Sequence, residues 1–358
     1  TSRNTRTNWP PMLTHFSPEE GFDWCSSSPR IFDDELLFCA STIATGQEIW
    51  RSDGTSAGTF PLSSFAPREP FAFYANKVEA TKLAGAYYFL GFGEDNAYAL
   101  WRSGGAPGGA VRVHRIASPA DYLEVAPWLE QVGGRLVFWG YQGGWKPFAS
   151  DGTAAGTQPL AETCPGTCPP FAGAAEVVGN RLLFVGMDDA QHQQLWTTRG
   201  TAASTFPLSD ELQDIGDGDE RQLLGGTLGG GWLFPARDDS TGFEPWVADP
   251  ARPLSAHRVR DLVLDTPGIA LYDTDIRGSE IAFSTRTDFA WGEYGVFRSD
   301  GTAAGTVEIA RTHRCDCGLV CSTPPADVLP ASGGVLYEDP EECESFSIRS
   351  WVRSTGEV

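Results

Sequence analysis

Acidic and aromatic side chains carry most of the chemistry open to this chain. Carboxylates stand in adjacent pairs at Asp188-Asp189 and Asp238-Asp239, with further groups at Glu94-Asp95 and across Glu338-Asp339-Pro340-Glu341-Glu342. Oxygen-rich clusters of this kind suit Ca²⁺ or a cationic ligand. None has the spacing of an EF-hand or another dedicated calcium loop. The expectation is therefore a candidate metal site at Asp188, Asp189, Asp238 and Asp239, with Ca²⁺ as the implied ion and a solvated acidic rim as the structural alternative. Paired carboxylates also serve as the acid and base of glycoside hydrolysis, where their separation in space decides the outcome.

Aromatic residues form a second group. Trp139, Tyr141 and Trp145 crowd one segment, and Phe289, Trp291 and Tyr294 another. Rings with an apolar body and a polar tip make platforms for sugars or peptides. Trp139, Tyr141, Trp145, Trp291 and Tyr294 are the ligand-binding candidates, although strand alternation would send some of them into the core. The five histidines, His15, His114, His192, His257 and His313, come from separate stretches and suggest no shared metal site. No nucleophile elbow, zincin helix motif or phosphate loop is present.

Eight cysteines occur, at 25, 39, 164, 168, 315, 317, 321 and 343, without the paired spacing of a zinc ribbon. Disulfides in an oxidising compartment fit this pattern better than metal ligation. The expected pairs are Cys25 with Cys39, Cys164 with Cys168, and Cys343 with one of Cys315, Cys317 and Cys321, whose other two members would pair together. Spacing alone does not fix these connections.

The elements that must position these groups are announced by a repeat. Trp50-Arg51-Ser52-Asp53-Gly54-Thr55-Ser56-Ala57-Gly58-Thr59 returns almost intact at Arg298-Ser299-Asp300-Gly301-Thr302-Ala303-Ala304-Gly305-Thr306. A third copy is Ala149-Ser150-Asp151-Gly152-Thr153-Ala154-Ala155-Gly156-Thr157, and worn copies follow Trp101, Trp196 and Trp246. Asp53, Gly104, Asp151, Arg199, Asp249 and Asp300 are 51, 47, 48, 50 and 51 residues apart, and a degraded copy follows Trp351. Seven units of about 50 residues match the length of a propeller blade. Each unit reads as four short strands with turn signals between them. In the turn, Asp bonds to the backbone two residues on and Gly accepts positive φ. The motif is therefore scaffold, and Ser299 within it is the wrong serine for a triad.

The expected fold is all-β: one seven-bladed β-propeller of four-stranded antiparallel blades over residues 1–358. The last unit stops after its third strand, and Asn8-Trp9-Pro10-Pro11-Met12-Leu13 looks like a surplus fourth strand. Residues 1–14 are thus expected to complete the last blade and close the ring, which would remove exposed strand edges, with seven repeats over 15–358.

The repeat resembles the Trp-x-x-Asp-Gly-Thr-x-x-Gly-Thr repeats of a family of bacterial secreted and surface proteins. The resemblance spans nearly the whole chain but weakens at Gly104, Arg199 and Asp249. It implies architecture and export. It implies no shared activity and no catalytic residue.

The formal net charge of −21 disfavours nucleic acid and anionic membranes as partners. No apolar run approaches the roughly 20 residues of a membrane helix. A chain starting at Thr1, without Met or a signal peptide, is expected to be a processed exported form, secreted or extracytoplasmic and monomeric. The function expected is binding of a glycan, peptide or cationic ligand on the cysteine-braced acidic face opposite the Asp-Gly-Thr turns. The alternative is a hydrolase or lyase acting on glycan or peptide through carboxylates on that face, with a divalent cation.

Overall fold

The computed structural model describes residues 23–24, 29–42, 46–65, 79–93, 95, 97–118, 128–163, 175–187, 192–210, 212–215, 225–239, 243–262, 271–277, 280–288, 293–311, 326–331, 334–342 and 345–353. Within them the chain is all-β and antiparallel, with one short 3₁₀ turn at Ala202–Ser204 and no helix long and apolar enough to cross a membrane. The strands form seven sheets, which we number in chain order.

A typical sheet is the fourth, with strands Ala175–Val178, Arg181–Met187, Gln193–Thr198 and Phe206–Pro207 paired in sequence order. The second, third and sixth sheets repeat this order. The described part of the seventh has three strands, Ala326–Ala331, Gly334–Glu342 and Ser345–Arg353. In the first and fifth sheets the first strand comes in two pieces. Asp23–Trp24 and Arg30–Phe32 both pair along Glu35–Thr42, and Asp214–Ile215 and Gly226–Leu228 both pair along Gly231–Arg237. Residues 1–14, expected to close a ring, lie outside the described residues.

The repeat explains the packing inside each sheet. Phe38, Phe89, Phe184 and Phe234 sit directly opposite Trp50, Trp101, Trp196 and Trp246. The third and sixth sheets keep the pairing with Phe138–Phe148 and Phe283–Phe297, stacked with ring centroids 5.8 and 5.5 Å apart. Such pairs add about 0.5–1.5 kcal/mol beyond the area they bury. Two residues after each of the first five phenylalanines stands Ala40, Gly91, Gly140, Gly186 or Ala236. At Gly186 the Trp196 indole lies so close that an added Cβ would meet Nε1 at 3.1 Å.

The Asp-Gly-Thr segment joins the third and fourth strands, as its spacing predicts. Asp53 Oδ1 accepts from the Thr55 backbone N–H at 3.0 Å and the Thr55 hydroxyl at 2.7 Å. Thr55 Oγ1 accepts from the Gly58 N–H at 3.0 Å, and the Thr59 hydroxyl returns to the Thr55 carbonyl at 2.7 Å. The same bonds recur around Asp151 and Asp300 within 0.1 Å. Gly54, Gly152 and Gly301 take φ of +83°, +91° and +85°. The second glycine is needed for a different reason, since a Cβ on Gly58 would fall inside the Asp53 carboxylate. Ser299 is fully buried, sharing a hydrogen bond with Thr306 Oγ1 at 2.7 Å and accepting from the Gly301 N–H at 3.0 Å.

Contacts divide the chain into two units, Thr1–Gln142 with Pro147–Pro159, and Gly143–Lys146 with Leu160–Val358. In the first unit the first strands of three successive sheets converge. Arg30 of the first sheet bonds Glu130 Oε1 of the third at 2.7 Å, and Glu79, at the start of the second, accepts from the Leu129 N–H at 2.8 Å. Sheets stacked face to face at about 10 Å would hold the first and third about 20 Å apart. Their first strands must therefore close together like wedges. The second unit holds the remaining sheets, with a core of Leu183, Val185, Leu195, Leu208, Trp232 and Phe234 joining the fourth and fifth.

Candidate functional site

The two ends of the first, third and sixth sheets differ in what they offer a ligand. At one end the Asp-Gly-Thr turns commit their polar groups to one another. The other end carries the loops between second and third strands and the chain leaving the fourth.

The aromatic candidates are only partly displayed at that second end. Trp139 and Trp145 are each 2% exposed, within the strands Arg135–Tyr141 and Trp145–Ser150. Trp139 packs on Trp128, centroids 5.8 Å apart. Their expected role as an open platform is therefore corrected to core packing. The cause is that the second and third strands of this sheet are buried on both faces, so alternation does not turn every other side chain to solvent. Tyr141 is half-buried where the strand ends. Tyr294 lies in the strand Glu293–Ser299 opposite Arg286, and Trp291 is outside the described residues.

The carboxylate candidates are engaged by protein donors. Asp238 faces the Arg258 guanidinium at 3.6 Å, and Asp239 accepts from the Gln213 side-chain amide. Among the described residues no group of three His, Cys, Asp or Glu converges to hold a metal ion. Asp188 and Asp189 lie outside the described residues. Asp95, from another of these loops, pairs with Arg112 at 2.7 Å. Of the histidines, His114 is half-buried against the Phe148 ring and burial lowers its pKa. His257 places Nδ1 3.0 Å from the Ser255 carbonyl.

Cys39 is disulfide-bonded. Trp24 pairs with Ala40, the neighbour of Cys39 in its strand. Cys25, Cys164, Cys168, Cys315, Cys317, Cys321 and Cys343 fall outside the described residues.

The sequence reading missed the polar groups that anchor the departing chain at this end. Glu48 and Glu244 are each 1% exposed and stand two residues before Trp50 and Trp246. Glu48 accepts from the Ser63 hydroxyl and from the Phe65 N–H at 2.7 Å, and Glu244 from the Leu262 N–H at 2.8 Å. At the same position of the third sheet stands Lys146, whose Nζ is 2.7 Å from Glu162. In the fourth sheet Gln193 binds the Ile215 N–H at 2.9 Å and Asp214 at 3.0 Å. The recurrence of Glu-x-Trp at residues 48–50 and 244–246 was the available signal.

Burial pushes the Glu48 carboxyl up to about 7, against hydrogen bonds from Ser63 and Phe65 that favour the charged form. At the other end of the same sheet burial also raises Glu35. There hydrogen bonds from Lys82, Tyr87 and Arg51 prevail and hold it at about 2. One carboxylate is built to stay ionised, and the other titrates near neutrality.

No family model and no curated protein matches the chain. Among solved structures, it is similar to a puromycin hydrolase mutant complexed with PGG, at 15% identity and a TM-score of 0.40, covering 92% of this chain and 53% of that one. A prolyl endopeptidase structure is matched at 12% identity and 0.40, covering 77% and 40%. An acylaminoacyl peptidase of Pyrococcus horikoshii is matched at 12% and 0.33, covering 88% and 50%. The chain spans about half the length of these proteins or less. Likeness at this level carries no argument about activity.

Proposed function

We propose that the chain is a seven-bladed β-propeller, closed by its N-terminal residues, that binds a ligand at the end opposite the Asp-Gly-Thr turns. The wedge-like closing of the first three sheets on Arg30 and Glu130 supports the propeller. The Trp-x-x-Asp-Gly-Thr-x-x-Gly-Thr repeat supports the kinship with bacterial secreted and surface proteins. Cys39 in a disulfide fits export and a Cys25–Cys39 staple.

The observation that carries the binding reading is the contrast between the two ends of the sheets. Turn networks repeat almost unchanged at one end, while Asp95, Glu162 and Asp239 come from non-repeating segments at the other. The Glu162 side chain is 65% exposed. With Trp139 and Trp145 withdrawn into the core, carboxylates dominate what the described residues present there. A basic peptide or another cationic ligand fits this chemistry best, and a neutral glycan held by Tyr141, Trp291 and Tyr294 comes next. The hydrolase alternative draws on Glu48, whose pKa suits a general acid. Both of its oxygens are nevertheless taken up by Ser63 and Phe65.

An array of basic peptides and neutral glycans, read with and without Ca²⁺, tests the proposal. Binding that weakens in Asp95→Asn and Asp239→Asn supports it. No bound class, or binding indifferent to both substitutions, overturns the assignment to this face.

A further inference from the structure

Three sheets pair opposite charges at the Asp-Gly-Thr end, and the fourth sheet does not. In the first sheet, Glu35 begins the second strand and receives Arg51 from the third, Nε to carboxylate oxygen 2.9 Å. In the sixth, Glu280 begins the second strand and lies 3.7 Å from Arg298. In the third the signs are exchanged, and Arg135 acts on Asp151 of the turn, lowering its pKa. Each arrangement brings an arginine to a carboxylate across the hairpin, and in the first and sixth sheets that arginine, Arg51 or Arg298, serves two facing carboxylates, Glu35 and Asp53 or Glu280 and Asp300.

The fourth sheet sets two arginines there. Arg181 begins the second strand, and Arg199 stands in the turn where Asp53, Asp151 and Asp300 stand elsewhere. The register Leu182↔Thr198 makes them cross-strand neighbours one step further out. Like charges directly opposite destabilise a sheet. Neither forms an ion pair among the described residues. The Arg199 backbone N–H is held by Ser204 Oγ at 3.0 Å, which anchors the turn without an aspartate and leaves the Arg199 side chain exposed.

Two polar atoms at this place lack hydrogen-bond partners among the described residues. Arg181 Nη1 is buried with no hydrogen-bond acceptor, although its guanidinium lies over the Phe206 ring at 5.6 Å, as that of Arg51 lies over Phe60 at 5.4 Å. Thr197 is 0% exposed, occupies the position of Arg51, and its hydroxyl also has no partner. Leu183↔Thr197 and Thr197↔Phe206 put Arg181, Thr197, Arg199 and Phe206 on one face of the sheet. Burial and the neighbouring Arg199 depress the Arg181 pKa, and Asp249 acts in the opposite direction. Asp249 itself accepts from the Ala251 N–H at 2.9 Å and reaches neither arginine.

We propose that Arg181 and Arg199 form an oxyanion-binding site that takes a compact acid group, a sulfate or phosphate, as the counter-charge that Arg51 and Arg298 supply to facing carboxylates in the first and sixth sheets. Two guanidinium forks and one opposing carboxylate leave the place one positive charge in excess, which a singly charged ester or a free anion neutralises. The acid group arrives either as a free inorganic ion or as an ester on a glycan. The site is at the opposite end of its sheet from the binding face proposed above and needs nothing from it.

Thermal denaturation of the full chain in sodium sulfate and sodium phosphate, against sodium chloride of equal ionic strength, reads the site directly. Wild type should gain a few degrees in Tm beyond the chloride control. Arg199→Ala, at an exposed turn, should lose that gain and bind sulfate about tenfold more weakly or worse. Arg181→Glu sets opposite charges at the two positions that Arg135 and Asp151 hold in the third sheet, so it should lose the gain while melting no lower than wild type in chloride. A sulfated oligosaccharide that binds far more tightly than inorganic sulfate identifies the ester as the ligand, and equal affinity identifies the free ion. The proposal is overturned if sulfate and phosphate leave wild type unshifted, or if the gain persists in Arg199→Ala.

Discussion

Glu48 and Glu35 act on stability in opposite directions. Glu48 holds its proton up to about pH 7 in the folded chain, against 4.5 unfolded. Below 4.5 its contribution is constant, and between 4.5 and 7 folding loses stability, up to about 3 kcal/mol. Glu35, held at about 2, contributes stability that is complete above 4.5 and is lost as pH falls from 4.5 toward 2, of similar size. Glu48→Gln should therefore match wild type at pH 5 and exceed it at pH 8, as measured by urea denaturation. Parallel pH profiles for the two would contradict the assignment. Trp139 shows how burial redirects a residue-level reading. Trp139→Ala should cost about 3–5 kcal/mol in the same denaturation experiment rather than selectively removing a ligand contact. A variant as stable as wild type would put that ring back on the surface.

At the scale of strands and turns, much was legible in advance. The Asp-Gly-Thr spacing located the junction of third and fourth strands, and the apolar runs located the second strands, because turn chemistry and β-propensity are local properties. The conformation of Gly54 was legible, but the role of Gly58 was not, since its neighbour is a side chain folded back from Asp53. Gly58→Ala should lower Tm, whereas Gly54→Ala, strained by φ +83° but with open space around it, should do so by backbone strain alone. Rebuilding the turn by Asp53→Ala together with Gly58→Ala should separate the two, because removing the carboxylate clears the space. If the second substitution is no better tolerated in that background, the clash is not the cause. The first-strand pieces of the first and fifth sheets escaped notice because each is only two or three residues long. Glu48 and Glu244 escaped because a buried carboxylate that binds a departing N–H declares itself only in three dimensions.

At the scale of the whole molecule, the repeated turns belong to the scaffold and the non-repeating segments to the proposed binding end. Ring closure by residues 1–14 predicts that a chain beginning at residue 15 melts several degrees lower and exposes an unpaired strand edge, detectable as concentration-dependent association. A truncated chain that melts like the full one and stays monodisperse would refute closure. The proposed Cys25–Cys39 disulfide predicts that mass spectrometry of the unreduced protein finds a cross-linked peptide pair joining these two cysteines. A disulfide joining Cys39 to any other cysteine would contradict it.

The division between scaffold end and binding end is the central claim. Its most direct test compares two variants on one array of basic peptides and neutral glycans, one with Asp53, Asp151 and Asp300 all changed to Asn, the other with Asp95 and Asp239 changed to Asn. The account predicts that the first variant melts lower yet keeps the wild-type binding profile, while the second melts like wild type and loses it. A first variant that loses binding while it is still folded, beside a second that keeps it, would contradict the account.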